Sequence, residues 1–534
     1  MRSAEGISFI AEGIQWPLLP GKKGRMERSS TGTATAILSA ALRAHGSTGA
    51  VKMADELLTV SGGKWRFGYQ KYMVELTRLM AEATTDVVNN MGRAGLVAAQ
   101  SKFVFLRNGE TLSLQVAMDS PMFTYETGHV VGAGNNSPSA PVSVPYNKQS
   151  YSPEVVPELL KTFVRNGDME DSVRAGVSSV LSMDKRVFED LSDLYVVLIG
   201  ATSEMGPLDF LLEHGANVIA LARQGEKKWN KLIEKARNSR GQLYFPTTDA
   251  ASANMGAFAG ADALKHTPEI AQWLSQLLPG KKFLIHSLIY LDGEKYVRAS
   301  MAMDAIVEKV TAARKKVKPG LLYIGTPSSA HLVPSSCKTR ADEFFHRAPL
   351  WQKALFFFGL LKRNKYLELQ NQNGYVVVDA LSGVQGPNYA LAKFLQNWRA
   401  LLARTEEGQF VSVNIAPPAM TASVMHAPKI AAAAPFLPLF KPNMMYYPDT
   451  VSALLSIMLL ADIRNEKSLS HPGTPLVHPM QLVAEQAWHG GSWSAPFTSD
   501  STGVAAYLCH LCKKATPIFV IALVGTVVYL ALRH

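Results

Sequence analysis

Short apolar runs alternate with amphipathic segments over the second half of this chain. The apolar runs lie at positions 195–199, 217–222, 242–245, 282–286, 320–324 and 409–414. The segments between them carry apolar residues at helical spacing, as expected of helices that cover a sheet. Strands that alternate with helices predict a parallel sheet with helices on both faces, which is an α/β fold.

The first third of the chain has a different pattern. Positions 22–52 are basic and rich in Ser, Thr, Ala and Gly, so we predict a flexible leader at 1–60. Asn108-Gly109 supplies the two positive-φ residues of a tight hairpin turn. A small α+β module is predicted at 61–190. Its elements are a helix at 69–91, a hairpin at 102–116, and helices at 157–165 and 171–181.

An apolar segment lies near the end of the chain. Positions 515–532 contain eighteen residues without a charge. At 1.5 Å per residue, a helix of this length covers about 27 Å, close to the thickness of a thin bilayer. We therefore predict a transmembrane tail anchor at 515–532 after a juxtamembrane linker at 496–514; a buried core helix is the alternative. The anchor implies a single-pass protein with cytosolic domains, in the endoplasmic reticulum by preference, or in the outer mitochondrial membrane or peroxisomes.

Composition narrows the functional classes. A hydrophobic content of 47% with 18% charged residues describes a globular protein. The net charge of +11 is spread over helix-like segments, and the sequence has no zinc-finger spacing and no RNP-type aromatic motif. Nucleic acid is therefore not a predicted partner. Three cysteines provide no disulfide framework, which indicates a reducing compartment. No metal site is predicted.

Two motifs suggest chemistry. The apolar run at 195–199 leads into a glycine-bearing turn from Gly200 to Gly206 and then a helix, an arrangement that can bind a pyrophosphate. Tyr389 lies 189 positions after Gly200, and Lys393 follows four residues later. Residues i and i+4 share one face of a helix, so an ammonium can lie beside the phenol and lower its pKa from about 10.

In this order, with strand-like segments between them, the motifs resemble the short-chain dehydrogenase/reductase superfamily over residues 190–490. The resemblance implies a Rossmann-type doubly wound parallel sheet and an NADP-binding domain at 191–495. Tyr389 would be the general acid in reduction or the base in oxidation. Lys393 would lower the pKa of the phenol and hold the ribose of the cofactor. Ser328 would hold the substrate carbonyl, with Thr326 and Ser329 as alternatives.

The resemblance also implies a set of cofactor contacts. Arg223 follows the second strand, where a guanidinium would bind a 2′-phosphate and so favour NADP(H) over NAD(H). Thr421 resembles the residue that contacts the nicotinamide carboxamide. The remaining predicted contacts are Gly200, Thr202, Ser203, Met205, Gly206, Asp249, His286 and Lys393.

Some residues depart from the family pattern. Ser203 and Glu204 stand where the family has its middle glycine. His286-Ser287 replaces Asn-Ala-Gly after the fourth strand, which resembles a divergent enoyl-thioester reductase branch instead. The asparagine that positions a proton-relay water has no clear counterpart, and Asp304 is the nearest polar candidate.

Ser328 and Tyr389 are 61 positions apart, which is far more than the family needs. The surplus includes 351–365, an apolar run that ends in cations. It is interpreted as a lid, a subunit contact in a homodimer, a membrane-dipping helix or additional core packing.

These observations predict a membrane-anchored NADP(H)-dependent oxidoreductase. It would reduce a carbonyl, or oxidise an alcohol, on a hydrophobic, lipid-like substrate. The alternatives are an enoyl-thioester reductase and a non-catalytic protein that binds NADPH as a scaffold or sensor at a membrane.

Overall fold

The computed structural model describes residues 12–20, 26–60, 62–134, 142–370 and 374–514. The strands within them are β1 (Gly13–Gln15), β2 (Leu18–Pro20), β3 (Met26–Arg28), β4 (Val104–Arg107), β5 (Glu110–Ser113), β6 (Glu126–Val131), β7 (Val144–Tyr146), β8 (Gln149–Tyr151), β9 (Tyr195–Ile199), β10 (Asn217–Leu221), β11 (Gln242–Thr247), β12 (Phe283–Ser287), β13 (Gly320–Gly325), β14 (Ala330–Pro334), β15 (Tyr366–Glu368), β16 (Tyr375–Asp379) and β17 (Val411–Ile415).

The α-helices in the first half of the chain are α1 (Ser30–His45), α2 (Thr48–Leu58), α3 (Gly62–Glu82), α4 (Thr85–Lys102), α5 (Leu114–Asp119), α6 (Val156–Asn166), α7 (Asp171–Leu181), α8 (Arg186–Glu189), α9 (Leu208–Glu213), α10 (Glu226–Arg237) and α11 (Met255–Phe258). The later ones are α12 (Thr267–Gln276), α13 (Glu294–Ala313), α14 (Ser335–His346), α15 (Leu350–Phe357), α16 (Gly386–Thr405), α17 (Ala422–Met425), α18 (Pro428–Ala433), α19 (Pro448–Arg464) and α20 (Ser499–Lys514). Short 3-10 helices occur at Ala434–Leu439, Pro479–Val483 and Ser492–Ser494.

A seven-stranded sheet forms the centre of the molecule, in the order β17-β13-β12-β9-β10-β11-β6. Six strands are parallel, and β6 pairs with β11 in the antiparallel direction. The α/β class is therefore confirmed, but the sheet is mixed and not purely parallel. The parallel strands follow the order 3-2-1-4-5-6, in which the winding reverses between β9 and β12. Ligands of such sheets bind at this reversal point, outside the carboxyl ends of the strands.

All six predicted parallel strands are present, and their ends lie within two residues of the predicted ones. The sequence located them because most of their residues are apolar and buried, as in strands of a sheet that is covered on both faces. The predicted hairpin is also present, since β4 and β5 pair across Asn108 and Gly109, whose φ angles are 53° and 80°. The predicted helix at 69–91 is instead divided between α3 and α4, and Thr84 is the extended N-cap residue of the second helix.

Residues from the predicted leader and N-terminal module belong to the same core as the sheet. α1 and α2 bury apolar side chains that include Ile37, Leu38 and Leu57. Their N-cap residues, Ser29 and Ser47, accept hydrogen bonds from backbone N–H groups of the first turn. These helices share one hydrophobic cluster with α13, α16 and one face of the sheet, whereas α7, α10 and α19 pack against the other face.

The surplus before Tyr389 forms a structure of its own. Its three-stranded antiparallel sheet, in the order β14-β16-β15, begins directly after the loop that follows β13 and leads back into α16. α14 and α15 lie between β14 and β15 in the chain. The insertion therefore starts and ends beside the loop with the predicted substrate-holding hydroxyls.

The predicted transmembrane helix requires a correction. Among the residues that the structure describes, no helix is long and apolar enough to cross a membrane. The predicted span at 515–532 lies outside those residues, while the predicted linker at 496–514 is largely helical, as α20. The predictions of a transmembrane helix and of a single-pass membrane location are therefore wrong.

Candidate active site

The glycine turn after β9 approaches the backbone that follows β12. Gly200 has a φ angle of 104°, and a Cβ on it would lie 2.9 Å from the backbone N of Ile289 and 2.9 Å from the carbonyl carbon of Leu288. Gly206 lies two residues before α9, which has only six residues. Of the other predicted contacts in the turn, Thr202 is exposed, and Ser203 and Met205 are half-buried. The turn therefore packs closely against the backbone after β12, and the helix that follows it is short.

Gly200→Ala is expected to destabilise the folded chain by about 3 kcal/mol, because the methyl group adds a clash with backbone to the strain of a positive φ. Gly46→Ala is the matched control, since Gly46 also has a positive φ (83°) but a Cβ there would meet nothing within 4 Å. That change should cost about 1 kcal/mol from backbone strain alone. Urea denaturation measures both; equal losses would show that the close approach at Gly200 does not matter.

A carboxylate connects the turn to the loop after β17. The backbone N–H of Ala422 donates to both carboxylate oxygens of Glu204, at 3.1 and 3.3 Å. Thr421 precedes Ala422 as the N-cap residue of α17, and its hydroxyl hydrogen-bonds that of Ser423 at 3.2 Å. The structure thus brings the predicted glycine turn and Thr421 together, with a negative charge between them.

Arg223 and Asp249 follow the neighbouring parallel strands β10 and β11, at the same edge of the sheet as the glycine turn. The side chain of Arg223 is exposed, and its carbonyl accepts a hydrogen bond from the indole of Trp229 at 3.2 Å. One carboxylate oxygen of Asp249 accepts the N–H groups of Ala251 and Ser252. Arg223 is therefore available to a solvent-borne anion, whereas Asp249 stabilises its own turn.

Lys393 is buried at the carboxyl end of β13. Its ammonium donates to the carbonyl of Ile324 at 2.8 Å, to Oε1 of Gln396 at 3.2 Å and to the phenol of Tyr290 at 3.4 Å. Burial lowers the pKa of Lys393 to about 7 because a charged amine is costly away from water. Lys393 is therefore a cation that can change its charge near neutral pH.

Two tyrosines that the sequence analysis did not single out surround this ammonium. It lies 4.6 Å from the ring centre of Tyr290 and 5.7 Å from that of Tyr296, within cation–π range. The phenol of Tyr290 donates to the carbonyl of Ile324 at 3.0 Å. Burial raises the pKa of both phenols well above 10. Gln396 is three residues after Lys393 and could have been found by helical spacing, whereas the tyrosines come from the chain after β12.

Tyr389 belongs to the same cluster but has different partners. Its ring lies 5.3 Å from that of Tyr296, and the hydroxyl of Thr326 lies near enough to its phenol to influence the phenol's pKa. Burial raises the pKa of Tyr389 above 10, and the Thr326 hydroxyl offsets only part of that rise. The described hydrogen bonds of the Lys393 ammonium reach Tyr290, not Tyr389. The two predicted residues are therefore brought together on one helix face without a direct hydrogen bond.

Two hydroxyls of the loop after β13 are hydrogen-bonded to each other. Thr326 Oγ1 lies 2.9 Å from Ser328 Oγ, and the Thr326 hydroxyl is near the phenol of Tyr389. Ser329 is buried, and its carbonyl accepts the N–H of Ala380. Of the three candidates for holding a substrate carbonyl, Thr326 therefore lies near the phenol of Tyr389, and Ser328 is hydrogen-bonded to Thr326.

His286 and Asp304 lie away from this cluster. His286 lines a cavity of about 10 Å³ together with Met205, Pro207 and Asn414, and its Nδ1 has no partner among the described residues. A cavity of this size has room for about one water, and burial lowers the pKa of His286 to about 3. Asp304 forms a buried ion pair with Arg399, so it is not a counterpart of the relay asparagine.

A buried ionic cluster supports the hydroxyl loop from behind. Glu170 accepts hydrogen bonds from Cys337 at 3.2 Å, from His489 at 3.1 Å and from Arg340. Burial alone would raise the pKa of Glu170, but the His489 hydrogen bond and the Arg340 charge lower it to about 2. Carboxylate, thiol and imidazole could together ligate a metal, but the guanidinium already neutralises the carboxylate. Trp493 stacks on His489 and donates to the carbonyl of Pro327, which links the cluster to the loop.

Compared with known proteins, the chain matches no family model and no curated protein sequence. Its relation to the short-chain dehydrogenase/reductase superfamily therefore stays a prediction. It depends on the motifs quoted above and on the arrangement of the residues around Lys393.

Proposed function

We propose that this protein is an NADP(H)-dependent oxidoreductase that reduces a carbonyl, or oxidises an alcohol, of a hydrophobic substrate. The main support is the buried ammonium of Lys393, which lies beside phenols at the carboxyl ends of β12 and β13, next to the point where the sheet reverses its winding. Reduction of a carbonyl requires an acid that protonates the carbonyl oxygen, and a phenol beside a cation can act as that acid. When bound, the nicotinamide would supply or accept the hydride.

The roles of the side chains follow from their contacts. Ser328 and Thr326 would donate hydrogen bonds to the substrate oxygen, because their hydroxyls are paired beside Tyr389. Tyr389 would deliver the proton in reduction. Lys393 would favour the phenolate that remains, by its positive charge in a site of low polarity.

The cofactor assignment depends on two features of the chain. Gly200 has no Cβ where one would clash with the backbone of Leu288 and Ile289, so the turn passes close to the end of β12. Arg223 presents an exposed guanidinium at the end of β10, where the 2′-phosphate of NADP(H) would lie. Calorimetric titration of the full chain with NADPH and NADH tests the proposal, and failure of both to bind would refute it.

Arg223→Asp is expected to weaken NADPH binding at least tenfold and to leave NADH binding nearly unchanged. A carboxylate repels a 2′-phosphate, whereas the guanidinium attracts it. Arg186→Asp is the matched control, because Arg186 is exposed on the short helix α8. An unchanged preference between the two nucleotides in Arg223→Asp would show that Arg223 does not read the 2′-phosphate.

A non-catalytic NADPH-binding protein is a second candidate function, and Glu204 affects how tightly either candidate would bind the nucleotide. Its carboxylate accepts the Ala422 N–H between the glycine turn and Thr421, where a pyrophosphate would pass. We expect Glu204→Gln to strengthen NADPH binding roughly threefold to tenfold, because a negative charge near the phosphates is removed. Glu213→Gln, on α9, is the control.

NADPH binding without turnover of any carbonyl in both Glu204→Gln and wild type would favour the second candidate. An enoyl-thioester reductase is a further alternative, and assays of turnover with acyl-thioester substrates test it.

A further inference from the structure

The insertion between β14 and β15 and the end of the 3-10 helix at Ala434–Leu439 present exposed apolar side chains. The apolar patch is defined as Leu350, Ala354, Phe357, Phe358, Leu360 and Leu439. Leu350 and Phe357 are 84% and 83% exposed. Leu350, Ala354 and Phe357 are spaced i, i+4, i+7 in α15, so they form one stripe along the helix.

The patch is held in place by the packing beneath it. The amide of Gln352 is buried and donates to the carbonyl of Leu439 at 2.7 Å, which joins α15 to the 3-10 helix at Ala434–Leu439. The ring of Trp351 lies 5.3 Å from that of buried Phe440. Phe356 packs on Phe345 with 5.2 Å between ring centres. The exposed stripe is therefore the outer face of a packed element and not the tip of a loop.

Exposure of these apolar side chains to water is unfavourable in free energy, and a binding partner that covered them would remove this cost. A Phe or Leu side chain contributes roughly 1.5–3 kcal/mol when it leaves water. Contiguous exposed apolar surface on a globular protein commonly marks a contact with a membrane or another protein. The chemistry of the occupant is indicated by the charges around the patch.

The surroundings of the patch are basic. Between Glu343 and Glu368 the sequence has no acidic residue and five cations, which are Arg347, Lys353, Lys362, Arg363 and Lys365. Arg363 pairs with Asp342, and Arg347 lies 3.8 Å from the carboxylate of Glu343. The side chain of Arg347 is nevertheless 79% exposed, and Lys362 and Lys365 are also exposed. Lys441 is exposed two residues after Leu439, and no acidic residue occurs between Glu407 and Asp449. A second copy of this chain would bring a rim of the same sign, whereas an anionic surface would be attracted.

We propose that the apolar patch and its basic rim dock the protein peripherally on an anionic phospholipid surface. Phe357 and Leu350 enter the boundary between headgroups and acyl chains, and Arg347, Lys353 and Lys441 meet the lipid phosphates. The contact is made by described residues and crosses no bilayer. It is independent of the proposed oxidoreductase activity, since it requires no nucleotide.

Hydrogen–deuterium exchange of the full chain with vesicles tests this contact. Phosphatidylcholine vesicles with about 30% phosphatidylserine are expected to slow exchange at residues 350–361 and 434–441, whereas pure phosphatidylcholine has little effect. Higher salt should weaken the contact. The variant Leu350→Ser/Phe357→Ser should bind anionic vesicles at least about tenfold more weakly, and its slowed exchange at these residues should be lost.

Matched controls separate the patch from general stickiness. Phe67→Ser removes a ring that is 88% exposed on α3, and should bind vesicles like the wild type. Lys353→Gln/Lys441→Gln should lose the preference for anionic vesicles, whereas Lys315→Gln/Lys316→Gln should keep it. Equal exchange with both vesicle types would overturn the proposal, as would unchanged binding of the Ser variant. Slowed exchange that depends on protein concentration without vesicles would contradict it and assign the patch to a second copy.

Discussion

Lys393→Met is expected to reduce turnover by about 10²–10⁴-fold while the folded chain becomes more stable. The loss of turnover follows if the ammonium favours the phenolate in the proposed site. The gain in stability follows because a methionine fills a similar volume without a buried charge. The Ile324 carbonyl keeps a hydrogen bond, since Tyr290 also donates to it.

The pH dependence of stability provides an independent measurement. The pKa of Lys393 is about 7 in the folded chain and ordinarily 10.5, so the unfolded chain binds more protons between these values. Stability contributed by this group is therefore greatest above pH 10.5 and is lost as the pH falls to 7. Each unit of pKa corresponds to about 1.4 kcal/mol. Urea denaturation between pH 7 and 9.5 should show a smaller rise of stability with pH in Lys393→Met than in the wild type.

Two variants control this experiment. Lys315→Met changes an exposed lysine near the end of α13 and should alter neither turnover nor the slope of stability with pH. Tyr389→Phe should lose turnover but keep the slope, because the phenol does not hydrogen-bond the ammonium. If Lys393→Met lost stability together with activity, the ammonium would be a structural group and the catalytic assignment would be wrong.

Asp304→Ala is expected to destabilise the chain by about 3–5 kcal/mol, the largest stability loss that we predict. Both oxygens of the Asp304 carboxylate accept from the guanidinium of Arg399, at 2.6 and 3.1 Å, and both residues are buried. Burial alone would lower the pKa of Arg399, but the charge of Asp304 raises it. Removal of the carboxylate would leave a buried cation without its main partner.

The double variant Asp304→Ala/Arg399→Met should recover much of that loss, because no buried charge remains. Asp184→Ala, which breaks an exposed pair with Arg186, should leave the melting temperature nearly unchanged. Thermal unfolding measures the melting temperatures of Asp304→Ala, the double variant and Asp184→Ala. A small effect of Asp304→Ala, with no recovery in the double variant, would show that the pair is not stabilised by mutual neutralisation.

The sequence predicted the framework of the site better than its contacts. Tyr389 and Lys393 share a helix face because their spacing matches the helical repeat, and Ser328 lies after the fifth parallel strand as expected. Their hydrogen-bond partners were not predictable from spacing. Tyr290 is 103 positions before Lys393 and reaches it only because β12 and β13 are neighbours in the sheet.

For two polar residues the tertiary structure adds neighbours that the sequence context does not show. His286 lies at the strand end where a cofactor contact is predicted, and it lines a small cavity beside Met205 and Pro207. Asp304 lies on the helix where a relay asparagine was expected, but Arg399 of α16 faces it across the helix interface. In both cases the decisive neighbour is distant in sequence.

The sequence alone determined the six parallel strands, the Asn108-Gly109 hairpin and the helix that carries Tyr389 and Lys393, because local periodicity and turn geometry specify these elements. Only the tertiary structure showed that β6 makes the sheet mixed and that Lys393 contacts Tyr290. It also showed that Glu204 joins the glycine turn to Ala422. These features depend on contacts between distant segments, which form when apolar faces are buried together and which no local pattern encodes.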